Sequence, residues 1–402
     1  MLRTPYAPVV AAEAASNFGS MLTRLAIPLL ATLSLDATPW QMGLLLVADV
    51  AAGALAALLL GPAVDRRGKR AVMLACDGLR ALVLAGLAAA ALMQSLTLAL
   101  LMVATAASAV LSMAFELARS AWMAQRLPAE DLSRANAALA AATSLSETAA
   151  FALGGWLFQA AGAVAALAID AASYVASALC LRRVQESPPA PPSPHADSGA
   201  LRAWWQESRD GLRALLSRPA LRTLAAIEAC TALATSLAGT SYMIFVARDI
   251  GFEPGLLGVV FAAGGLGALI GAGAAPRLGE QLGPARALVI GLAASAAGAA
   301  LVPLVPAAGA LGVALLVAQQ IVGDGGHTLH EVHHRTLRQT LAEPQVLARV
   351  DAGIRFSGQL ATLAGAIGGG ALATATGART ALAIAAAVLA AAALLAALRL
   401  RD

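Results

Sequence analysis

Long apolar runs alternate with short polar breaks along almost the whole chain. Twelve runs can be marked, at about 8–34, 40–63, 70–92, 96–118, 134–160, 163–182, 221–246, 255–275, 286–305, 307–330, 352–375 and 378–398. Each reaches the ~20 residues that a helix needs to cross the hydrocarbon core of a bilayer. The breaks carry turn signals: Asp36-Ala37-Thr38-Pro39, Gly61-Pro62, Pro128, Glu253-Pro254, Pro303 and Pro306. The pattern predicts an all-α membrane protein with twelve transmembrane helices.

Composition supports that class. Of 402 residues, 59% are hydrophobic and 12% are charged, about half the roughly 25% charged share of soluble domains. Too few polar residues remain to cover a water-facing surface, which excludes a soluble enzyme, a nucleic-acid-binding protein and a disordered chain. The three cysteines, Cys76, Cys180 and Cys230, are far apart and odd in number, so they imply no disulfide framework. The first apolar run contains Glu13 and Arg24 and is too long for a cleavable signal segment.

The net charge of +4 matters less than its placement. Alternate breaks are basic: Asp65–Arg70, Arg119–Arg134, Arg182–Arg222, Arg277–Arg286, Arg335–Arg349 and Arg399–Arg401. The remaining breaks hold almost no cations, Arg248 and Arg379 excepted. The positive-inside rule puts the basic set and both termini in the cytoplasm, as expected for a multi-pass protein of the cell membrane.

One segment is not apolar. Glu186 to Gly199 reads ESPPAPPSPHADSG, a Pro-rich solvated linker that splits the runs six and six. After it, Leu201, Trp204, Trp205, Leu212, Leu215 and Leu216 fall near one helical face, a pattern for a helix lying in the cytoplasmic interface. The expected organisation is a six-helix bundle over 1–184, a linker with an amphipathic helix over 185–220, and a second six-helix bundle over 221–402.

The two halves resemble each other. A shift of 215 residues aligns Arg134-Ala135-Asn136 with Arg349-Val350-Asp351, Gly154-Gly155 with Gly369-Gly370, Gly162 with Gly377, and Glu116 with Glu331. Gly43-Leu44-Leu45 also resembles Gly255-Leu256-Leu257. Weak internal symmetry between two six-span bundles is the mark of a secondary transporter, with substrate expected between the halves near the midplane.

Between the second and third runs lies Gly61-Pro-Ala-Val-Asp65-Arg66-Arg67-Gly68-Lys69-Arg70. Gly61 allows close helix approach and Gly68 a tight turn. Asp65 can pair with a helix end or an arginine, and the cations can anchor the loop to anionic lipid. The spacing resembles the signature loop of the major facilitator superfamily. Ser16-Asn17-Phe18-Gly19, Ile27-Pro28, Asp77-Gly78-Leu79-Arg80, Arg134-Ala135-Asn136 and Asp170-Ala-Ala-Ser-Tyr-Val-Ala-Ser-Ala178 are similar to the drug–proton antiporter branch that includes macrolide and enterobactin exporters. Thr336-Leu-Arg338-Gln339 and Arg349-Val-Asp351-Ala-Gly-Ile-Arg355-Phe356 fit as well.

The resemblance implies a rocker-switch exporter driven by the proton gradient, with Asp65 latching a cytoplasmic gate and Arg119 or Arg355 as its partner. The second-half copy, Gly273-Ala-Ala-Pro-Arg277-Leu-Gly-Glu280, lacks the aspartate. The fifth run carries Gly154-Gly155 without the proline that antiporters often place there.

Charges within the runs are functional candidates, because an ionisable group in a membrane is costly. They are Glu13, Arg24, Asp49, Glu147, Asp170, Glu228 and Asp324. By depth, Asp49 leads as the proton-coupling carboxylate, followed by Glu147, then Glu13 and Glu228. The competing structural reading pairs Glu13 or Asp49 with Arg24, and Asp77 with Arg80.

Four of the five histidines stand together: His327, His330, His333 and His334. His330, Glu331 and His334 match the H-E-x-x-H zinc spacing. A remote reading is an intramembrane metal hydrolase; incidental metal binding or pH sensing by His327, His330 and His334 is another. The leading expectation is a non-enzymatic, monomeric exporter of small amphiphilic molecules. It would use protons and the lipid bilayer as partners, no nucleic acid and no cofactor; no ATP-binding loop is present. Import of a nutrient or siderophore by the same fold is the alternative.

Overall fold

The computed structural model describes residues 5–186, 209, 213, 218–342 and 347–400. The side chains of Asp65 and Arg349 fall outside that description. So does the segment read as a Pro-rich linker and amphipathic helix, apart from its two ends and Arg209 and Arg213, both exposed.

The described residues form eleven α-helices. In chain order these are α1 (Ala7–Leu33), α2 (Pro39–Asp65), α3 (Lys69–Leu92), α4 (Leu98–Arg126) and α5 (Ala129–Leu181). Then come α6 (Pro219–Met243), continued by a π-helical turn (Ile244–Asp249), α7 (Pro254–Leu282) and α8 (Pro284–Leu301). The last are α9 (Ala310–Leu341), α10 (Leu347–Thr376) and α11 (Ala378–Arg399).

Local chemistry starts and stops them. Proline occupies the first turn of α1, α6, α7 and α8, where its missing N–H leaves no hydrogen bond unmade. Thr38 and Gln41 form a reciprocal capping box at α2: Thr38 N donates to Gln41 Oε1 at 2.8 Å and Gln41 N to Thr38 Oγ1 at 3.3 Å. Inside α5, Gly162 adopts φ 72°, ψ −179° and breaks the helix into arms at 129–161 and 163–181. Gly377 takes φ 89° just before α11. These two glycines were aligned by the 215-residue shift, and both take a conformation that L side chains avoid.

The twelve apolar runs fall on these elements, some overrunning a helix end by a few residues, with the fifth and sixth on the two arms of α5. Several stretches read as basic breaks are helical instead. α4 continues to Arg126 and α5 begins at Ala129, so only Leu127 and Pro128 separate them. α7 runs through Pro276 and Arg277 to Leu282, leaving Gly283 alone before α8. Arginine, glutamate and alanine are good helix formers, so charge marked the helix ends without marking a loop.

Eight helices are long and apolar enough to cross a membrane among the described residues. Leu82 is 69% exposed and Leu269 70% exposed. Their outward apolar surfaces suit lipid and would be a liability in water.

Two compact units emerge. Unit 1 holds Met1–Leu35, Ala48–Leu201 and Pro254–Val259; unit 2 holds Asp36–Val47, Arg202–Glu253 and Val260–Asp402. In unit 1, α1 packs along α5, and α3 against α4 and α5. In unit 2, α6 packs on α10 and α11, while α8 packs on α9 and α11. Glycines make the closest contacts. In unit 1, a Cβ on Gly155 would meet the backbone of Gly258 at 2.7 Å. In unit 2, one on Gly370 would meet the Pro39 carbonyl at 2.9 Å and Trp40 Cα at 3.1 Å. Gly154 faces Leu22 and Leu25 of α1, and its counterpart Gly369 faces Leu237 and Thr240 of α6.

Candidate functional site

The signature loop is a set of reciprocal helix caps. Lys69, fully buried, donates from Nζ to Val64 O at 2.9 Å and to Arg67 O at 3.3 Å, closing the end of α2. Arg70 donates from Nε to Leu181 O at 3.2 Å and from Nη2 to Arg182 O at 2.9 Å, closing the end of α5. In return, the Glu186 carboxylate accepts from Arg70 N at 2.9 Å and Ala71 N at 3.1 Å at the start of α3. Cations at helix C-termini and an anion at an N-terminus all sit with the favourable sign of the helix dipole. Arg126 donates to Glu186 O, and Trp122 Nε1 donates to Gln185 O at 2.9 Å.

This geometry revises two readings of the loop. Gly68 is extended, at φ −61° and ψ 124°, so it makes no left-handed turn. A Cβ there would meet the Glu186 carboxyl carbon at 2.8 Å, so its smallness admits the cap. Gly61 borders open space, so close helix approach does not account for it. Arg66 is exposed. The side chain of Asp65 lies outside the described residues, as does that of Arg349.

A polar core lies inside unit 1. Asp77 of α3 is fully buried. Its Oδ1 accepts from Arg80 Nη2 at 2.5 Å, and its Oδ2 accepts from Ser177 Oγ, on the second arm of α5, at 2.6 Å. The Arg80 guanidinium also donates to Ser112 of α4 at 3.3 Å. It lies against the Tyr174 ring, 4.3 Å from the centroid, and the Phe115 ring, 4.7 Å from the centroid. Aromatic faces stabilise a desolvated cation through their quadrupole. Tyr174 OH and Ser20 Oγ of α1 share a hydrogen bond of 2.8 Å. Asp170, 1% exposed, accepts from Ser173 Oγ at 3.1 Å. Gly19 of α1 is the place where this group fits, since a Cβ there would overlap Ser173 and Asp170.

The other in-membrane candidates are distributed differently. Glu13 forms an ion pair with Arg119 of α4, each side chain 17% exposed. The sequence offers Arg24 to Glu13, and the family resemblance offers Arg119 or Arg355 to Asp65. Asp49 is exposed, Glu147 half-buried and Arg355 exposed. Arg134 and Asn136 are exposed, and Arg134 lies 3.7 Å from Asp131.

In unit 2 the family-motif residues Arg338 of α9 and Asp351 of α10 pair at 3.3 Å, while Gln339 is exposed. The histidine rings form a row along α9. His327 and His330 have centroids 4.9 Å apart, and His330 and His334 are 6.5 Å apart. His334 Nε2 donates to Leu224 O of α6 at 2.9 Å and His333 Nε2 to Ala275 O of α7 at 3.1 Å. A carbonyl can only accept, which fixes the hydrogen on Nε2 in both rings. Glu228 lies 3.9 Å from His334 Nδ1. Glu331 is exposed and paired with Arg335 at 2.9 Å. Among the described residues no group of three histidine, cysteine or acidic side chains is placed to hold a metal ion. Of the H-E-x-x-H residues, His334 ties α9 to α6 and Glu331 pairs with Arg335 within α9.

The sequence places Glu186 at the start of the solvated linker, and its role as a cap of α3 was missed. The signal was present: a lone acid directly after an arginine-bearing helix end, with an uncapped glycine start at Gly68.

The fold is shared with solved transporters. The nucleoside transporter NupG aligns at 14% identity over 98% of both chains, with a TM-score of 0.75. A bacterial homologue of the iron transporter ferroportin aligns at 15% over 100% of both chains, also at 0.75. The POT family transporter PepTSo aligns at 15% over 99% of this chain and 97% of its own, at 0.71. No curated protein matches the sequence. The Major Facilitator Superfamily profile matches residues 9–329. The chain thus belongs to the Major Facilitator Superfamily and is a membrane transporter of small molecules, not an enzyme.

Proposed function

We propose that the protein is a proton-coupled secondary active transporter that exports small amphiphilic molecules by alternating access, within the drug–proton antiporter branch. The observation that carries the coupling is the set of acids and arginines held inside apolar helices: Glu13 with Arg119, Asp77 with Arg80, and Asp170 beside them. Ionised groups in a membrane are expensive, and a transporter that moves protons has a use for them. Asp49, Glu147, Glu13 and Glu228 are the further carboxylates open to this role. The gate reading for Asp65, with Arg119 or Arg355, belongs to the same proposal.

In this reading all twelve apolar segments cross the cell membrane, as six-helix bundles over 1–184 and 221–402 joined by the linker over 185–220. Both termini are cytoplasmic and the protein works as a monomer. The alternative reading is import of a nutrient or siderophore by the same fold. Accumulation of ethidium and of a panel of amphiphilic dyes in an efflux-deficient host separates the two. Export gives low accumulation that rises when an uncoupler is added. Import gives accumulation above that of the empty host.

A further inference from the structure

Two buried carboxylates of unit 1 stand near one guanidinium, and only one of them is paired with it. Asp77 holds it through Oδ1 and sets its Oδ2 on the Ser177 hydroxyl, while the buried Arg80 Nε has no hydrogen-bond partner among the described residues. The charge of Arg80 is therefore balanced before Asp170 is considered. Asp170 lies in the second arm of α5, within the apolar span 134–181, and the ion pairs of the described residues leave it without a cation. Its neighbours are hydroxyls. Ser173 donates to it, and the buried Thr23 hydroxyl of α1 stands beside it.

An unpaired carboxylate in such a place costs far more than a neutral carboxylic acid. A neutral acid needs an acceptor for its O–H, and the buried Thr23 oxygen is one. With Asp170 neutral, the cluster of Asp77, Arg80 and Asp170 sums to zero charge. The ionisable groups that surround it are few: Asp77 and Arg80 of α3, Tyr174 of its own arm, and the Glu13–Arg119 pair of α1 and α4.

We infer that Asp170 is a proton-binding site of this transporter, set apart from Asp77 by the single arginine between them. The step is one of simple balance. A water-borne proton forms an O–H bond on Asp170, and the same bond breaks to return the proton to water. While Asp170 is ionised, Arg80 is drawn between two carboxylates, and the contacts joining α3 to the second arm of α5 must redistribute. For its use in transport, this assignment rests on the proton-coupled reading above.

The test is an infrared titration of the purified full-length protein in lipid bilayers, with the proton itself as the probe. A protonated, buried carboxyl shows a C=O stretch distinct from those of carboxylates. We expect one such band in the wild type, removed by alkaline pH and absent in Asp170→Asn. It should persist in Asp36→Asn, which alters an exposed acid in the loop before α2. Asp77→Asn frees Arg80 for Asp170 and should weaken the band at neutral pH. A wild type without the band, or a band that survives Asp170→Asn, overturns the assignment. Should Asp170→Asn fail to fold, the wild-type titration and Asp77→Asn still decide. An Asp170-dependent band supports the assignment whatever efflux does, and efflux indifferent to an uncoupler counts against the coupled reading alone.

Discussion

Arg70 and Glu186 cap each other's helices across 116 positions of sequence. The arginine side chain closes the end of the helix that precedes Glu186, and the glutamate receives the backbone N–H of Arg70 itself. The pair is an anion at one helix start and a cation at another helix end, bound into a single loop. Losing an N-terminal cap typically costs about 0.5–2 kcal/mol. Glu186→Ala should therefore lower the melting temperature of the detergent-solubilised protein, and Glu186→Gln, which keeps one acceptor oxygen, should lower it less. Equal melting of all three would show that the cap contributes nothing.

Gly155 and Gly370 should respond alike, and differently from Gly162 and Gly377. At the first two, a new Cβ meets backbone that cannot turn aside. Alanine there should cost about 1–3 kcal/mol through overpacking. At the second two, there is open space but a left-handed backbone, at φ 72° and 89°. Alanine there pays a strain of about 1–2 kcal/mol, and asparagine, which tolerates that conformation, should pay less. Thermal unfolding of the eight single variants reads both classes. Asparagine rescue at Gly155 or Gly370 would contradict the packing account.

Much of this fold is legible in the sequence because a membrane helix is a local object. Apolar run length places each of the eleven helices, and the aligned Gly162 and Gly377 mark equivalent breaks because a left-handed residue needs glycine wherever it occurs. The helix extensions past Arg119 and Arg277 were hidden, since hydropathy falls where the bilayer ends while helicity does not. The pairings of the site were hidden for another reason. Glu13 meets Arg119, Asp77 meets Ser177 and Arg70 meets Glu186 over separations of about a hundred residues, and no local period records such a contact. Asp77 with Arg80 was readable because three residues apart is one helical turn.

The Glu13–Arg119 pair offers a direct test of how firmly α1 and α4 are joined. Both side chains are largely shielded from water, so removing one leaves the other charge stranded. Glu13→Gln and Arg119→Met should each destabilise, and the double variant should recover part of the loss. A double-mutant cycle should give a coupling of about 0.5–3 kcal/mol. Strict additivity would mean that the two residues act independently.

The histidine row makes a separate prediction. With His333 and His334 both donating to helix carbonyls and Glu331 held by Arg335, purified protein exposed to zinc and then desalted should retain well under one ion per chain. His334→Ala should loosen the hold of α9 on α6 and lower thermal stability. Stoichiometric zinc that disappears in that variant would contradict the helix-tying role.

The central claim is that a proton gradient drives this protein. Purified chain reconstituted into liposomes with an acidic lumen, challenged with ethidium and a panel of amphiphilic dyes, tests it most directly. Dye should accumulate above the level of protein-free liposomes, and the accumulation should collapse when an ionophore dissipates the gradient. Dye movement that is unchanged by dissipating the gradient, or that never exceeds the protein-free level for any member of the panel, would contradict it.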